Sequence, residues 1–294
     1  DGFLIGPGAN LAHANLNGVD LSNATLTGVE SGGITGTPSH LPTGWQLFNG
    51  YLVGPGANLT NANLTSIHLA NMSLANTNLN GVDLTGATLT GVQSGGITGT
   101  PHALPAHWQI TSGYLIGPGA DLASATLSNA NLTNAYLTNA NLANANLVGA
   151  DLTDARLVGV QSGGITGTPH ALPTAGPYGN AQWQLIDGYL IGPGADLTGA
   201  SLTDSNLNNT DLVGANLTNA QLNGVHLDNA DLYNATLTGV QSGAITGTIL
   251  FLPADWRLTT NGYLIGPSAN LTNADLSNAD LNNVDLSNAT LTGV

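Results

Sequence analysis

The chain has 294 residues but few charges: 17 are acidic and only two, Arg156 and Arg257, are basic, which gives a formal net charge of −15. This charge excludes nucleic-acid binding through a basic groove and docking of a polybasic face on an anionic membrane, because cations that would neutralise phosphates are missing. The absence of cysteine excludes disulfides, a thiol nucleophile and a thiolate metal site. No apolar run approaches the ~20 residues of a membrane-spanning helix, so we expect no membrane insertion.

Leucine recurs at every fifth position in five runs, which extend over residues 11–26, 59–89, 122–157, 197–237 and 271–291. Two residues before each leucine there is a small apolar side chain, usually alanine, and Asn, Asp or Thr lies between the two. A typical unit is Ala130-Asn131-Leu132-Thr133-Asn134. A helix would spiral this apolar stripe around its axis, and a continuous strand would place residues five apart on opposite faces.

The unit itself indicates a short extended segment followed by a bend. Alanine and leucine, two residues apart, point to the same side, the polar residue between them points outwards, and the last two residues turn the chain. Stacked units would bury the alanines and leucines and expose Asn, Asp and Thr. The predicted core includes Leu64, Leu69, Leu74, Leu132, Leu137, Leu142, Leu207, Leu212, Leu217, Ala130 and Ala140.

This A-[N/D]-L-x-x pattern resembles the pentapeptide-repeat family. The resemblance implies an all-β fold, a right-handed quadrilateral β-helix in which four pentapeptides make up each coil. We therefore expect a single continuous solenoid of about 12 coils over residues 1–294, interrupted by four inserts.

The inserts are a second repeat. Each interruption reads V-x-S-G-[GA]-I-T-G-T, then a variable stretch with tryptophan, then G-Y-L-[IV]-G-P, for example from Val29 to Pro55. We interpret the glycine-rich ends as degenerate walls and predict irregular inserts at 39–51, 102–114, 170–189 and 249–262. Each tryptophan either plugs the glycine-lined coil or forms an exposed platform for a sugar or a neighbouring molecule. The aromatic residues assigned to insert packing or lateral contacts are Trp45, Trp108, Trp183, Trp256, Tyr51, Tyr114, Tyr189 and Tyr263.

Candidate reactive residues do not form a recognisable site. No hydrolase, metalloprotease, P-loop or dinucleotide motif is present. His102 and His170 share the context T-P-H-A-L-P, which the last insert lacks, so we expect a surface or turn role. Calcium needs converging carboxylates, and only Asp211 and Asp231 are separated by one whole coil and could stack. We predict no enzymatic activity and no catalytic, cofactor-binding or metal-binding residues.

The favoured function is a structural one, as an extracellular or cell-surface fibre element that assembles with itself by end-to-end β-stacking and lateral contacts. Neither end of the sequence carries a polar cap, so we expect the solenoid to continue in a longer chain or to stack on another copy. A surface of amides and hydroxyls with little charge repels other copies weakly. Two basic residues also leave few sites for trypsin-type proteases.

Two alternatives remain. The family resemblance implies an acidic DNA mimic that binds a type II topoisomerase, although about one charge per 4 Å is sparser than the one per ~1.7 Å of duplex DNA. A second alternative is a surface that binds ice or a glycan. Thr198, Thr218 and Thr238 fit a ladder with one threonine per coil, the kind of array that an ice-binding face uses. An exposed tryptophan platform would instead bind a sugar, so this alternative implies a cell-surface glycan as a partner besides the chain itself.

Overall fold

Strands and isolated β-bridges make up the regular structure of the protein. The computed structural model describes residues 5–174 and 182–294. Part of the third predicted insert, residues 175–181, lies outside the described residues. Over the described ranges, no helix is long and apolar enough to cross a membrane.

Ten short strands are present in the described chain. Eight of them form four antiparallel hairpins, in which β1 pairs with β2, β3 with β4, β5 with β6, and β9 with β10, whereas β7 and β8 are parallel. The strands are β1 (Gln46–Phe48), β2 (Tyr51–Val53), β3 (Gln109–Thr111), β4 (Tyr114–Ile116), β5 (Gln184–Ile186), β6 (Tyr189–Ile191), β7 (Gln221–Asn223), β8 (Gln241–Gly243), β9 (Arg257–Leu258) and β10 (Leu264–Ile265).

Outside the hairpins, parallel bridges join equivalent positions of successive coils, as a coil of four five-residue walls requires. The chain divides into two compact units, one of Asp1–Ala125 with Ala135–Ala140 and one of Thr126–Asn134 with Asn141–Val294. Ladders of bridges run through each unit. One ladder of the first unit joins Asn10, Glu30, Asn58, Asn78 and Thr98, and one of the second unit joins Asn141, Gln161, Asp196, Asn216 and Thr236.

The main-chain hydrogen bonds explain why the period is five residues. The amide of Leu64 donates to the carbonyl of Asp83 one coil later (2.9 Å), and the amide of Asp83 donates back to Ala62 (3.0 Å). At the corner, the amide of Ala62 donates to the carbonyl of Leu59 (2.8 Å), which closes a β-turn in which Asn61 has a φ of 58°. A positive φ at this place of the turn favours Asn or Gly, the residues that the repeat puts there.

The outward Asn or Asp in the middle of each unit also has a structural task. The Asn63 side-chain oxygen accepts hydrogen bonds from the Thr65 amide (3.2 Å) and hydroxyl (2.9 Å), and Asp83 accepts one from the Thr85 amide (2.9 Å). An amide oxygen and a carboxylate are both acceptors, so Asn and Asp exchange along the repeat without loss of this turn.

The core is formed by the inward alanines and leucines of each unit. All eleven residues named above as core positions are buried, with Leu64 and Leu207 fully so and Ala130 3% exposed. In contrast, Leu281 and Leu291 of the last run are 41% and 49% exposed.

The inserts differ from the ranges expected from the sequence. A regular wall lies inside the start of each range, because His40 pairs with Asp20, and Ala103 pairs with Asp83, at the normal step of one coil. Ala171 and Phe251 pair in the same way with Asp151 and Asp231. The physical reason is that Leu41, Leu104, Leu172 and Leu252 keep the inward leucine position of the repeat.

Each insert also contains a hairpin, which the sequence interpretation did not include. In the first hairpin, Asn49 and Gly50 have φ values of 45° and 78°, the positive pair of a type I′ turn. Ser112-Gly113 and Asp187-Gly188 make the same turn. The second strand of each hairpin forms one wall of the coil, and the residues after it rejoin the ladder of parallel bridges.

The burial of the inward leucines leads to a first prediction. Replacing Leu132 by alanine should lower the free energy of unfolding by about 2–5 kcal/mol, because it removes a fully buried side chain from a closely packed core. Urea denaturation measures the loss. The control is Leu281→Ala, whose side chain is 41% exposed and should cost less than about 1 kcal/mol. Equal losses for the two variants would contradict the inward orientation of the leucines.

Candidate functional site

Each insert places its tryptophan in the wall where the repeat lacks a leucine. We number the inserts 1 to 4 in chain order. A Cβ atom on Gly54 would overlap the indole ring of Trp45, and one on Gly117 would overlap that of Trp108. Gly192 and Gly266 stand in the same relation to Trp183 and Trp256. The indole ring therefore occupies the space that a leucine side chain would fill at the glycine position.

The hairpin is held to the preceding glycine-rich segment by a repeated set of contacts. In insert 1, the Leu52 amide donates to Ser31 Oγ (2.9 Å), and the Ile34 amide donates to the Gly50 carbonyl (3.2 Å). The ring of Tyr51 lies over Gly32, whose Cβ would approach Tyr51 Cε1 to 3.1 Å. The same contacts recur in inserts 2, 3 and 4, where the serines are Ser94, Ser162 and Ser242 and the tyrosines are Tyr114, Tyr189 and Tyr263.

An amide–carboxylate pair bridges the two coils that flank an insert. Gln93 Nε2 donates to Asp121 Oδ2 (2.9 Å), and Gln161 Nε2 donates to Asp196 Oδ2 (3.1 Å). In insert 1 the two groups are exchanged, since Asn58 Nδ2 donates to Glu30 Oε1 (3.1 Å). Each pair therefore still has one amide donor and one carboxylate acceptor. The hydrogen bond between them joins the coils on the two sides of the insert.

Comparison with known proteins identifies the repeat. A family model described as pentapeptide repeats matches eight copies, in residues 8–30, 56–91, 119–159, 193–219, 211–241 and 268–294, which together cover more than half of the chain. The chain belongs to the pentapeptide-repeat family. Its fold is therefore the right-handed quadrilateral β-helix of that family, and the matched segments leave out the hairpin inserts.

Solved structures of other pentapeptide-repeat proteins resemble the chain at low identity. HetL, which is involved in heterocyst differentiation regulation in the cyanobacterium Nostoc sp. strain PCC 7120, shares 22% identity over 79% of this chain and 86% of its own, with a TM-score of 0.16. Two trypsin-treated variants of QnrB1, a plasmid-mediated fluoroquinolone resistance protein, share 16% identity over 80% of this chain. They are covered to 90% and 89%, with TM-scores of 0.22 and 0.19. A comparison with curated proteins found no match.

In this pentapeptide-repeat protein, three inserts bring a histidine near the aspartate one coil earlier. His40 Nδ1 lies 3.8 Å from Asp20 Oδ2, and both side chains are well exposed. Hydrogen bonds from Ser22, the backbone amide first, hold the pKa of Asp20 below its ordinary value, and the attraction of His40 is the smallest contribution. Hydrogen bonds from the hydroxyl and amide of Thr85 and of Thr153 lower the pKa of Asp83 and of Asp151, and His102 and His170 add only a small electrostatic contribution. These pairs are exposed surface contacts with little effect on stability.

The stacked carboxylates Asp211 and Asp231 behave differently. They form a parallel bridge, and Asp211 is partly buried. Desolvation raises the pKa of Asp211, the Val213 amide (3.0 Å) opposes this, and the charge of Asp231 adds to it. Across residues 5–174 and 182–294, no three His, Cys, Asp or Glu side chains are grouped as a metal ion would need.

The threonine ladder is occupied by internal hydrogen bonds. Thr198 Oγ1 donates to Asp196 Oδ1 (2.6 Å), and Thr218 Oγ1 donates to Asn216 Oδ1 (2.7 Å). Asn216 Nδ2 in turn donates to Thr198 Oγ1 (2.8 Å). Two of the three predicted ladder hydroxyls thus have their hydrogen atoms directed to the protein itself.

Insert 4 carries an exposed apolar cluster that the sequence interpretation missed. Tyr233, Leu250 and Phe251 are 55%, 54% and 57% exposed, and we call these three residues the insert 4 patch. The signal in the sequence was the replacement of the motif T-P-H-A-L-P by T-I-L-F-L-P. The prediction from the sequence took account of the lost histidine but not of the gained leucine and phenylalanine.

The packing of tryptophan against glycine predicts a specific double-mutant result. Trp108→Ala should cost about 3 kcal/mol by leaving a cavity, and Gly117→Leu alone should also destabilise the protein, because its side chain would overlap the indole ring. The double variant Trp108→Ala/Gly117→Leu should be more stable than either single variant, since the leucine restores the usual wall. Urea midpoints for the four proteins give the coupling energy, and additive losses would contradict the replacement of leucine by tryptophan.

The raised pKa of Asp211 predicts a pH-dependent gain in stability. A carboxyl group whose pKa is higher in the folded state destabilises the fold when ionised, so stability falls as the pH rises through the range between the unfolded and folded pKa values. Asp211→Asn should therefore raise the melting temperature at pH 7, and the gain should shrink as the pH falls through the raised folded pKa and vanish below the unfolded pKa of about 4.

The matched control is Asp275→Asn, where the expected sign is opposite. Hydrogen bonds from the Ser277 hydroxyl and amide lower the pKa of Asp275, so its ionised form stabilises the fold above the unfolded pKa, and this stability is lost as the pH falls. The variant should melt slightly lower at pH 7 and like the parent in acid. The same sign for both variants would disprove the assigned environments.

Proposed function

We propose that this pentapeptide-repeat protein is a non-enzymatic structural solenoid, an element of an extracellular or cell-surface fibre in which copies associate end to end and side by side. The observation that supports a structural role is the repetition of the same internal contacts in all four inserts. In each insert, the tryptophan fills a wall, the tyrosine covers a glycine and the serine accepts a backbone amide. These side chains hold the hairpins against the neighbouring coils.

The outer walls support side-by-side association. Amide and hydroxyl groups form ladders along them, as where Asn78 Nδ2 donates to both Asn58 Oδ1 (3.1 Å) and Thr60 Oγ1 (3.0 Å). Such rows satisfy their hydrogen bonds within the chain and carry little charge, so a neighbouring copy can pack against them at a low cost in desolvation. The main opposition is the net charge of −15, which is carried by carboxylates that protonate in acid.

Assembly is therefore expected to depend on pH and salt. At pH 7, raising the ionic strength should promote filaments of constant width, because exposed carboxylates are screened beyond about 8 Å at physiological salt. Lowering the pH towards the isoelectric point of about 4.1 should promote lateral bundling. Negative-stain electron microscopy and sedimentation velocity provide the measurement. Monomers of 29.5 kDa at high concentration under both conditions, or amorphous precipitate in acid alone, would contradict the proposal.

A further inference from the structure

The insert 4 patch lies on one wall of the second unit. Phe251 forms a parallel bridge with Asp231, and the amide of Leu250 donates to the carbonyl of Ala230 (2.9 Å). Tyr233 lies in the corner turn that follows Asp231, next to Leu232, whose amide donates to the carbonyl of Phe251 (2.9 Å). The three exposed side chains therefore lie near one another on two successive, hydrogen-bonded coils.

The other three inserts show that the fold does not require this surface. The positions of Tyr233, Leu250 and Phe251 are occupied by Ser22, Ser39 and His40 in insert 1. They are occupied by Thr85, His102 and Ala103 in insert 2, and by Thr153, His170 and Ala171 in insert 3. The bridges that join the two coils are the same in all four. Three positions that hold polar or small residues at inserts 1 to 3 hold large apolar or aromatic residues at insert 4, although the wall is the same.

The surroundings of the patch are acidic. Asp211 and Asp231 precede Phe251 on the same ladder, and the carboxylate of Asp228 accepts a hydrogen bond from the amide of Thr248 (3.0 Å), two residues before Leu250. The arginine nearest in sequence, Arg257, donates its Nη1 to the carbonyl of Asn282 (2.9 Å), away from these carboxylates. A ligand on the patch would therefore meet negative charge at its edge.

We propose that the insert 4 patch binds a segment of another protein in which large apolar side chains are flanked by lysine or arginine. Charge complementarity favours this occupant, because cations beside the apolar contact would pair with Asp211, Asp228 and Asp231. A second copy of the chain fits less well, since it would bring another net charge of −15. The area also argues against a homodimer. Three half-exposed side chains offer roughly 300 Å², which is well below the ~800 Å² that each partner buries in a stable dimer.

The test uses the full chain and a short synthetic peptide of alternating leucine and lysine. The patch variant is Tyr233→Thr/Leu250→His/Phe251→Ala, which installs the residues of inserts 2 and 3 and is therefore compatible with the wall. Isothermal titration calorimetry at pH 7.5 should show binding to the parent that is about tenfold tighter than to the patch variant, and weaker binding at higher salt. The matched control is Val148→Thr, which removes a different exposed apolar side chain (47%) and should bind like the parent.

Peptides with one property removed separate the apolar and electrostatic contributions. A leucine–glutamate peptide and a serine–lysine peptide should both bind the parent much more weakly than the leucine–lysine peptide. Equal binding of the leucine–lysine peptide to parent and patch variant would overturn the proposal, because attraction to the net charge alone would then explain it. Dimerisation of the parent that the patch variant abolishes, seen by sedimentation without peptide, would also overturn it in favour of a second copy. Circular dichroism melting curves of the variants verify the fold.

Discussion

The closure of each coil after four walls is the constraint on which the rest of the structure depends. A leucine amide reaches a carbonyl of the next coil, as Leu64 does with Asp83, and the same bond recurs along both units of the described chain. Corners must therefore recur with the period of the repeat, and each corner needs a residue that adopts a positive φ, such as Asn61. The leucines are buried because this geometry directs their position inwards. Period, turn residue and core are thus three consequences of one pattern of hydrogen bonds.

Any insertion into such a coil has to return the chain to the same register. The ladder crosses the inserts at separations of 28 residues from Glu30 to Asn58 and from Gln93 to Asp121, and of 35 residues from Gln161 to Asp196. The extra length of the third insert lies before its tryptophan, whereas the tryptophan, the hairpin and the serine contact are kept in all four. Loops of variable length are tolerated because closing a longer loop costs little entropy, while the contacts that restore the register are not free to change.

The five-residue period and the inward leucines could be predicted from a pattern that repeats 33 times, and the family fold followed from the resemblance of that pattern to the pentapeptide-repeat family. The hairpins were missed although Asn49-Gly50 is a strong hairpin signal. The residues on both sides of the turn were assigned to five-residue units. This assignment hid the alternation of side chains with a period of two that is typical of the short hairpin strands. The wall centred on His40 was missed for a related reason, since its proline and histidine do not resemble the A-N-L unit. The pKa of Asp211 depends on burial by neighbouring coils and has no local signature.

Differences between copies are more informative about function in this protein than the features that all copies share. The exchange of Glu30 and Asn58 for Gln93 and Asp121 changes the sequence but preserves a hydrogen bond, so it is explained by the fold. The replacement of polar or small residues by Leu250 and Phe251 keeps the bridge to Asp231 but exposes apolar area to water, which the wall does not require. Neighbouring exposed apolar side chains are typical of a surface that another molecule covers, as we propose for the insert 4 patch. In a repeat protein, we therefore expect binding where one copy departs from the repeat pattern and no contact within the fold explains the change.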